Sequence, residues 1–309
     1  MRYRQFGRTG LRLSEIGFGA SPLGNEFGSI DEEEGVRAIR LALDLGINFF
    51  DVAAYYGRGL AETRLGAALR GRRDEAIVAT KCARYDVDRF DFSAASVKES
   101  IDASLHRLGT GYVDIFHVHD IEFGDGRQII EETIPAMREV QKSGKARFIG
   151  ITGFSVRMLE EVAREAPVDC ILSYCRYNLL NRDLELSLAP FAERQGIGMI
   201  NASPLHMGLL SERGGPPWHP APEPVKETAR KVVDLCRTRK VSPADIALQF
   251  ALGRQNIAST LVGMSTSEEV RSNVSAAGET PDRDLLADLD VLTRPVQDMI
   301  WITGRPENH

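Results

Sequence analysis

Short apolar runs of strand character occur at 16–19, 47–50, 76–80, 112–119, 146–151, 168–173, 197–202 and 258–262, with segments of helical periodicity between them. No other feature constrains the fold as much as this alternation. Most of the runs are continuously apolar, as expected of parallel strands covered on their outer face. The helical pattern is clearest over 94–108, where Val97, Ile101, Leu105 and Leu108 line one face, Ser93 stands at the N-cap and Gly109 at the stop. Helices near 32–45, 60–70, 128–142, 156–165, 183–194, 226–238, 243–252 and 267–276 follow the same logic. Strand–helix units in this number predict an α/β chain folded as one (β/α)8 TIM barrel over 1–309, with right-handed crossovers.

A doubly wound sheet also alternates strand and helix, but it usually carries GxGxxG after its first strand. Here the first run gives Gly17-Phe18-Gly19-Ala20-Ser21-Pro22-Leu23-Gly24, with different spacing and a proline inside. Residues 2–14 read as a short hairpin turning between Gly7 and Gly10. After the seventh strand, Gly214-Gly215-Pro216-Pro217-Trp218-His219-Pro220-Ala221-Pro222-Glu223-Pro224 forbids regular structure and reads as a stiff loop at the barrel mouth.

A net charge of −6 argues against nucleic acid as a partner. No apolar run reaches the roughly 18 residues of a membrane span, and the first residues lead into no apolar signal segment. Cys82, Cys170, Cys175 and Cys236 form no CxxC pair, which points to a reducing, cytoplasmic compartment. A small-molecule substrate is the remaining class of partner, for a monomer or small homo-oligomer.

In a barrel, chemistry gathers where strands end at the C-terminal face. The second run ends at Asp51, the third at Lys81 and the fourth at His119, while Tyr56 follows in the turn closed by Gly57. Adjacent strands lie about 4.8 Å apart, so these groups converge. A phenol of ordinary pKa near 10 is a poor base at neutral pH. A neighbouring ammonium fixed by a carboxylate favours the phenolate, and a shift of about three units corresponds to about 4 kcal/mol. His119 can hydrogen-bond a substrate oxygen. This is equipment for moving a proton to or from a carbonyl or hydroxyl.

Each residue also has a plain reading: Asp51 as a turn former, Lys81 as a snorkelling strand-end lysine, Tyr56 as rim packing, His119 as a satisfied core histidine. Their occurrence at matching ends of neighbouring strands favours the chemical one. His117-Val118-His119-Asp120, with Glu122 nearby, offers a rival: two histidines on one strand face as a metal pair of a barrel hydrolase. The later strands end at Thr152-Gly153, Ser173-Tyr174 and Gly263, and only His206 could help, so no metal is expected.

These residues carry a resemblance to the aldo-keto reductases that covers nearly the whole chain. Arg4-Gln5-Phe6-Gly7-Arg8-Thr9-Gly10-Leu11 with Gly17-Phe18-Gly19 resembles the family's hairpin and first strand. Phe50-Asp51 through Tyr56-Gly57, then Ala79-Thr80-Lys81, then Tyr112-Val113-Asp114 through His119, resembles its catalytic tetrad in order. The resemblance implies Tyr56 as general acid/base and a nicotinamide cofactor extended across the barrel mouth. Cofactor contacts then fall to Gly19, Ala20, Asp51, Ser173, Tyr174, Ser203, Leu205, Gly208, Gly263, Met264, Ser265, Glu269 and Asn273. Within the family, Ala79-Thr80-Lys81-Cys82, His119-Asp120-Ile121-Glu122-Phe123-Gly124, Ile171-Leu172-Ser173-Tyr174-Cys175, Ala202-Ser203-Pro204-Leu205-His206-Met207-Gly208-Leu209-Leu210 and Trp218-His219-Pro220 are similar to the aldose 1-dehydrogenase branch. That implies oxidation of an aldose such as L-galactose or L-fucose to its lactone, with Tyr56, His119, Trp218 and His219 meeting the sugar.

The chain departs from the family pattern at two places. Many members stack a tyrosine on the nicotinamide where this chain has Ala202, which leaves Tyr174 as the candidate. NADPH-using members place Lys and Arg in the final strand–helix segment, where Gly263 and Glu269 stand here. A carboxylate there repels a 2′-phosphate and accepts from ribose hydroxyls, so NAD is the expected cofactor. Arg271 close by keeps NADP-dependent aldehyde or ketone reduction as the alternative, and some relatives are non-catalytic regulatory subunits.

Overall fold

The computed structural model describes residues 1–297 and 299–309. Two short strands, β1 (Tyr3–Gln5) and β2 (Arg12–Ser14), pair antiparallel as the expected hairpin. Eight parallel strands follow: β3 (Ile16–Gly19), β4 (Phe49–Asp51), β5 (Ile77–Cys82), β6 (Val113–Val118), β7 (Ala146–Gly153), β8 (Cys170–Tyr174), β9 (Gly198–Ala202) and β10 (Ser259–Gly263). They close in the order β10-β3-β4-β5-β6-β7-β8-β9. No helix is long and apolar enough to cross a membrane among the described residues.

The helices surround the barrel as the periodicity predicts, and Ser93 and Gly109 cap Ala94–Leu108 at its two ends, the glycine at φ +63°. Prolines account for two departures. The expected helix 183–194 is broken into Asp183–Leu186 and Leu188–Gln195, because the ring of Pro190 collides with the carbonyl four residues back. The expected helix 128–142 contains a π turn at Ile129–Thr133 just before Pro135, which lacks the N–H of a regular ladder. A further helix, Arg283–Thr293, was not expected; Asp282 caps it and it buries Leu285 and Leu289 against the rest.

The hairpin plugs the barrel's N-terminal end. Phe6 is fully buried with Leu11 and Leu13 among the inward side chains Phe49, Ala79, Ile115, Leu172, Ile200 and Leu261. Its ring lies where a Cβ on Gly198 would stand, 2.4 Å away, so residue 198 must be glycine for the plug to seat. Arg4 donates to the carbonyls of Leu252, Arg254 and Ile257, tying the hairpin to the end of the helix Pro243–Leu252. Phe6→Ala is expected to cost about 3–5 kcal/mol in urea unfolding, as for other buried phenylalanines. An unchanged midpoint would show that the plug carries no stability.

Candidate active site

Barrel shear brings the predicted side chains together. Asp51 pairs in register with Ala79, and Lys81 lies two residues further along the same face of β5. Lys81 in turn pairs with His117, and His119 lies two residues beyond that. The carboxylate, the ammonium and the imidazole therefore step round the mouth, all of them buried. The turn after β4 returns Tyr56 over them.

Lys81 Nζ donates to Asp51 Oδ1 at 2.5 Å and to the Val52 carbonyl at 2.9 Å, and it lies 3.3 Å from the Tyr56 hydroxyl. Burial pushes the Lys81 pKa down, and the attraction of Asp51, helped by Tyr56, more than restores it, so the lysine is an ammonium. The Tyr56 and His119 rings stand edge to face, 5.8 Å apart at 89°. Burial holds the His119 pKa well below its ordinary value, with the Lys81 and Arg84 charges adding to the effect. The imidazole is neutral, a hydrogen-bonding group and not an acid.

The phenol corrects the sequence-based expectation. Its pKa is pushed up to about 12, because burial of the ring and its hydroxyl outweighs the nearby ammonium, and Asp51 and Asp120 add to the rise. Tyr56 thus rests as a protonated phenol beside a cation.

His117 sits one layer below His119, fully buried, with both ring nitrogens unpartnered among the described residues. No three His, Cys, Asp or Glu side chains converge to hold a metal among the described residues.

The remaining predicted positions divide. Ser203 and Gly208 lie in the turn after β9, where Ser203, His206, Met207 and Gly208 all have positive φ, and Leu205 is half-buried within it. Gly19 and Ala20 line the end of β3, and Ala20 N–H donates to the Asp51 carbonyl. Ser173 donates to the Gly153 carbonyl at 3.1 Å. The Tyr174 hydroxyl bonds Glu122 at 3.4 Å and its ring leans on Phe154. Gly263 is exposed over Pro22, Asn273 is half-buried, and the Met264 side chain belongs to the core, with its N–H held by the Gly19 carbonyl.

The two predicted loop contacts to the sugar part ways. His219 is buried, and its Nε2 donates to the His206 carbonyl while its Nδ1 accepts from Ala221 N–H, so neither nitrogen is left for a sugar. Trp218 is 58% exposed and meets Phe27 across the mouth at 6.2 Å.

At the start of the helix after β10, Ser267–Gly278, the carboxylates are hydrogen-bonded to backbone. Glu269 Oε2 accepts from Ser265 and Thr266 N–H, closing a capping box with Thr266. Glu34, from the helix Glu32–Asp44 after β3, accepts the Ser267 N–H at 2.6 Å, and that bond, with help from Arg37, holds its pKa at about 2.

Residues 15–292 match the aldo/keto reductase family. The chain is an aldo-keto reductase. It is 45% identical to the L-galactose dehydrogenase of Arabidopsis thaliana, over 99% of this chain and 98% of that one. It is 30% identical to a D-threo-aldose 1-dehydrogenase of Pseudomonas sp, over 88% and 92%. An aldo-keto reductase of Bacillus halodurans, solved in its holo form, superposes with a TM-score of 0.81 at 29% identity, over 100% and 99% of the two chains. The reductase is therefore an oxidoreductase, and its family uses nicotinamide cofactors. Its mouth fits one: Asp51 Oδ2 is buried with no partner among the described residues, an acceptor that a ribose hydroxyl would satisfy.

Several mouth residues of the reductase were not singled out as ligands from the sequence. Arg84, Asp120 and Tyr55 line the mouth beside His119. Glu122 is fully buried and accepts from Phe154 N–H, and its main-chain carbonyl takes Arg305 N–H and Asn308 Nδ2 from the C-terminal segment. Trp301 of that segment stacks on Phe154 at 4.4 Å. Only the adjacency of Asp120 and Glu122 to His119 could have signalled them.

Lys81→Met leaves the Asp51 carboxylate buried without its cation and is expected to cost the reductase about 3–5 kcal/mol in urea unfolding. The double variant Asp51→Leu/Lys81→Met is expected to regain most of that. A single variant as stable as the parent would mean the pair is solvated and not buried.

Proposed function

We propose that the reductase oxidises the C1 hydroxyl of an aldose, L-galactose or a close relative such as L-fucose, to the lactone with NAD. The observation that carries the chemistry is the Tyr56 hydroxyl 3.3 Å from a buried ammonium and edge-on to a neutral imidazole. His119 donates to the C1 oxygen and orients it. Tyr56 first gives up its own proton to solvent, the Lys81 ammonium, fixed by Asp51, stabilises the phenolate that is left, and this phenolate takes the C1 hydroxyl proton to become the phenol again. When bound, the oxidised nicotinamide supplies the acceptor for the hydride leaving C1 and a positive charge that favours the phenolate. Tyr174, whose hydroxyl bonds Glu122, would supply the ring to stack on the nicotinamide, a role Ala202 cannot fill.

The sugar follows the names borne by the Arabidopsis and Pseudomonas relatives. NAD is supported by the two carboxylates at the start of Ser267–Gly278. The N–H groups of residues 265–267 that could hold a 2′-phosphate already serve Glu34 and Glu269, and both carboxylates repel one. A second reading, NADP-dependent carbonyl reduction, is favoured by Arg213, whose guanidinium lies 3.8 Å from Glu269. The four cysteines are all free and buried, which supports a reducing, cytoplasmic setting.

Initial rates with D- and L-aldoses, each with NAD and NADP, test the proposal; no aldose turnover with either cofactor would refute it. Tyr56→Phe is expected to keep the NAD dissociation constant and lower turnover at least about 10²-fold, and retained turnover would remove the phenol from the chemistry. Because burial keeps Tyr56 protonated, oxidation should climb as pH rises from about 6 to about 9, while the reverse reduction, which uses the protonated phenol, does not climb. Glu34→Gln/Glu269→Gln keeps hydrogen-bonding caps but removes both charges. Fluorescence titration should then show NADP affinity rising at least about tenfold relative to NAD, and an unchanged ratio would contradict the charge argument.

A further inference from the structure

We propose that the Arg84–Asp120 ion pair reads the hydroxyl on the carbon next to the reacting one, so that the site selects α-hydroxylated carbonyl compounds and their cyclic forms over simple aldehydes. This deepens the aldose reading and rests on the same tetrad.

Asp120 Oδ2 lies 3.7 Å from His119 Nε2 and accepts from Arg84 Nη1 at 2.5 Å. A substrate oxygen held between Tyr56 and His119 therefore has this carboxylate as its next polar neighbour. Vicinal oxygens of a sugar are separated by about the length of a hydrogen bond, so the second oxygen falls within reach of the pair. Arg84 offers donors and Asp120 an acceptor, which suits a hydroxyl that both gives and takes a hydrogen bond. Arg84 Nε is buried with no partner among the described residues.

The pair is rigidly presented. Asp120 has φ +51°, a costly backbone for a non-glycine residue, and its N–H is held by Thr152 Oγ1 at 3.1 Å. Ala83, just before Arg84, also has positive φ. The guanidinium lies 4.1 Å from the Tyr55 ring and 5.3 and 5.4 Å from Phe90 and Phe123. Nothing in the proton shuttle of Tyr56, Lys81 and Asp51 calls for this second ion pair, whose carboxylate is buried and whose guanidinium is partly exposed at the mouth. An unpaired polar site rejects a substrate that lacks the matching hydroxyl, which makes such a pair a specificity device.

The test compares kcat/KM for an aldose with its 2-deoxy counterpart in oxidation, and for glycolaldehyde with acetaldehyde in reduction. The proteins are the parent, Asp120→Asn, and the double variant Arg84→Met/Asp120→Leu, which leaves no buried charge unpaired and so guards against misfolding. The parent is expected to favour the hydroxylated member of each pair at least about 10²-fold, and both variants to lose at least tenfold of that preference. The ratio is read, whatever the absolute rates. A preference unchanged in the folded double variant would make the pair merely structural and overturn the proposal, as would a parent with no preference. Should the parent turn over no aldose, the aldose reading falls, and the glycolaldehyde ratio still decides the role of the pair.

Discussion

The site depends on an ammonium kept charged inside the barrel. Taking a lysine out of water is costly unless it is paired and its remaining protons are satisfied. Asp51 and the Val52 carbonyl meet that requirement, and the third direction of Nζ points at the Tyr56 hydroxyl. From β4 to β6 each catalytic residue lies two places beyond the register partner of the one before, and the tilt of the strands in the barrel brings the three to the same mouth. The same dryness that strengthens the ion pair resists ionisation of the phenol and discharges His119. One environment thus sets three protonation states: a charged lysine, a neutral imidazole and a phenol that parts with its proton only when a reaction demands it.

Round this centre the wall is stitched from distant segments. Glu122, with its pKa raised to about 8 by burial and by Asp120, holds Tyr174 with its side chain and the C-terminal segment with its carbonyl. Arg84 joins the loop after β5 to the end of β6. Most charges at the mouth are matched in place, so a polar, uncharged molecule meets no net repulsion on entering. On the same face, Glu34 and Glu269 make the start of the helix Ser267–Gly278 locally acidic, the reverse of what a phosphate needs.

The strands, the barrel and the four converging side chains were legible because each rests on a local pattern: an apolar run, a helical period, an ionisable residue where a strand stops. The broken helix at Ser187 and the π turn before Pro135 were legible in principle, since each follows from a proline already in view. The helix Arg283–Thr293 was missed although Asp282, Leu285 and Leu289 give an ordinary cap and spacing. Other features depend on positions that no local pattern contains. The direction of the Tyr56 shift is decided by how much protein covers the ring. Glu34 finds Ser267 across 233 positions of sequence. His219 was read as a sugar contact from the resemblance of its loop, and the bonds that occupy both of its nitrogens appear only when the loop is folded.

The plug at the foot of the barrel bears on how the chain folds. Arg4 reaches partners 248, 250 and 253 positions downstream, and Phe6 fits into a socket lined by the last two strands. Arg4 and Phe6 must therefore wait, unsatisfied, until partners about 250 positions downstream have been made. Closure of the ring is a late, long-range event, the kind that slows folding and leaves sticky surface open to chaperones in the meantime.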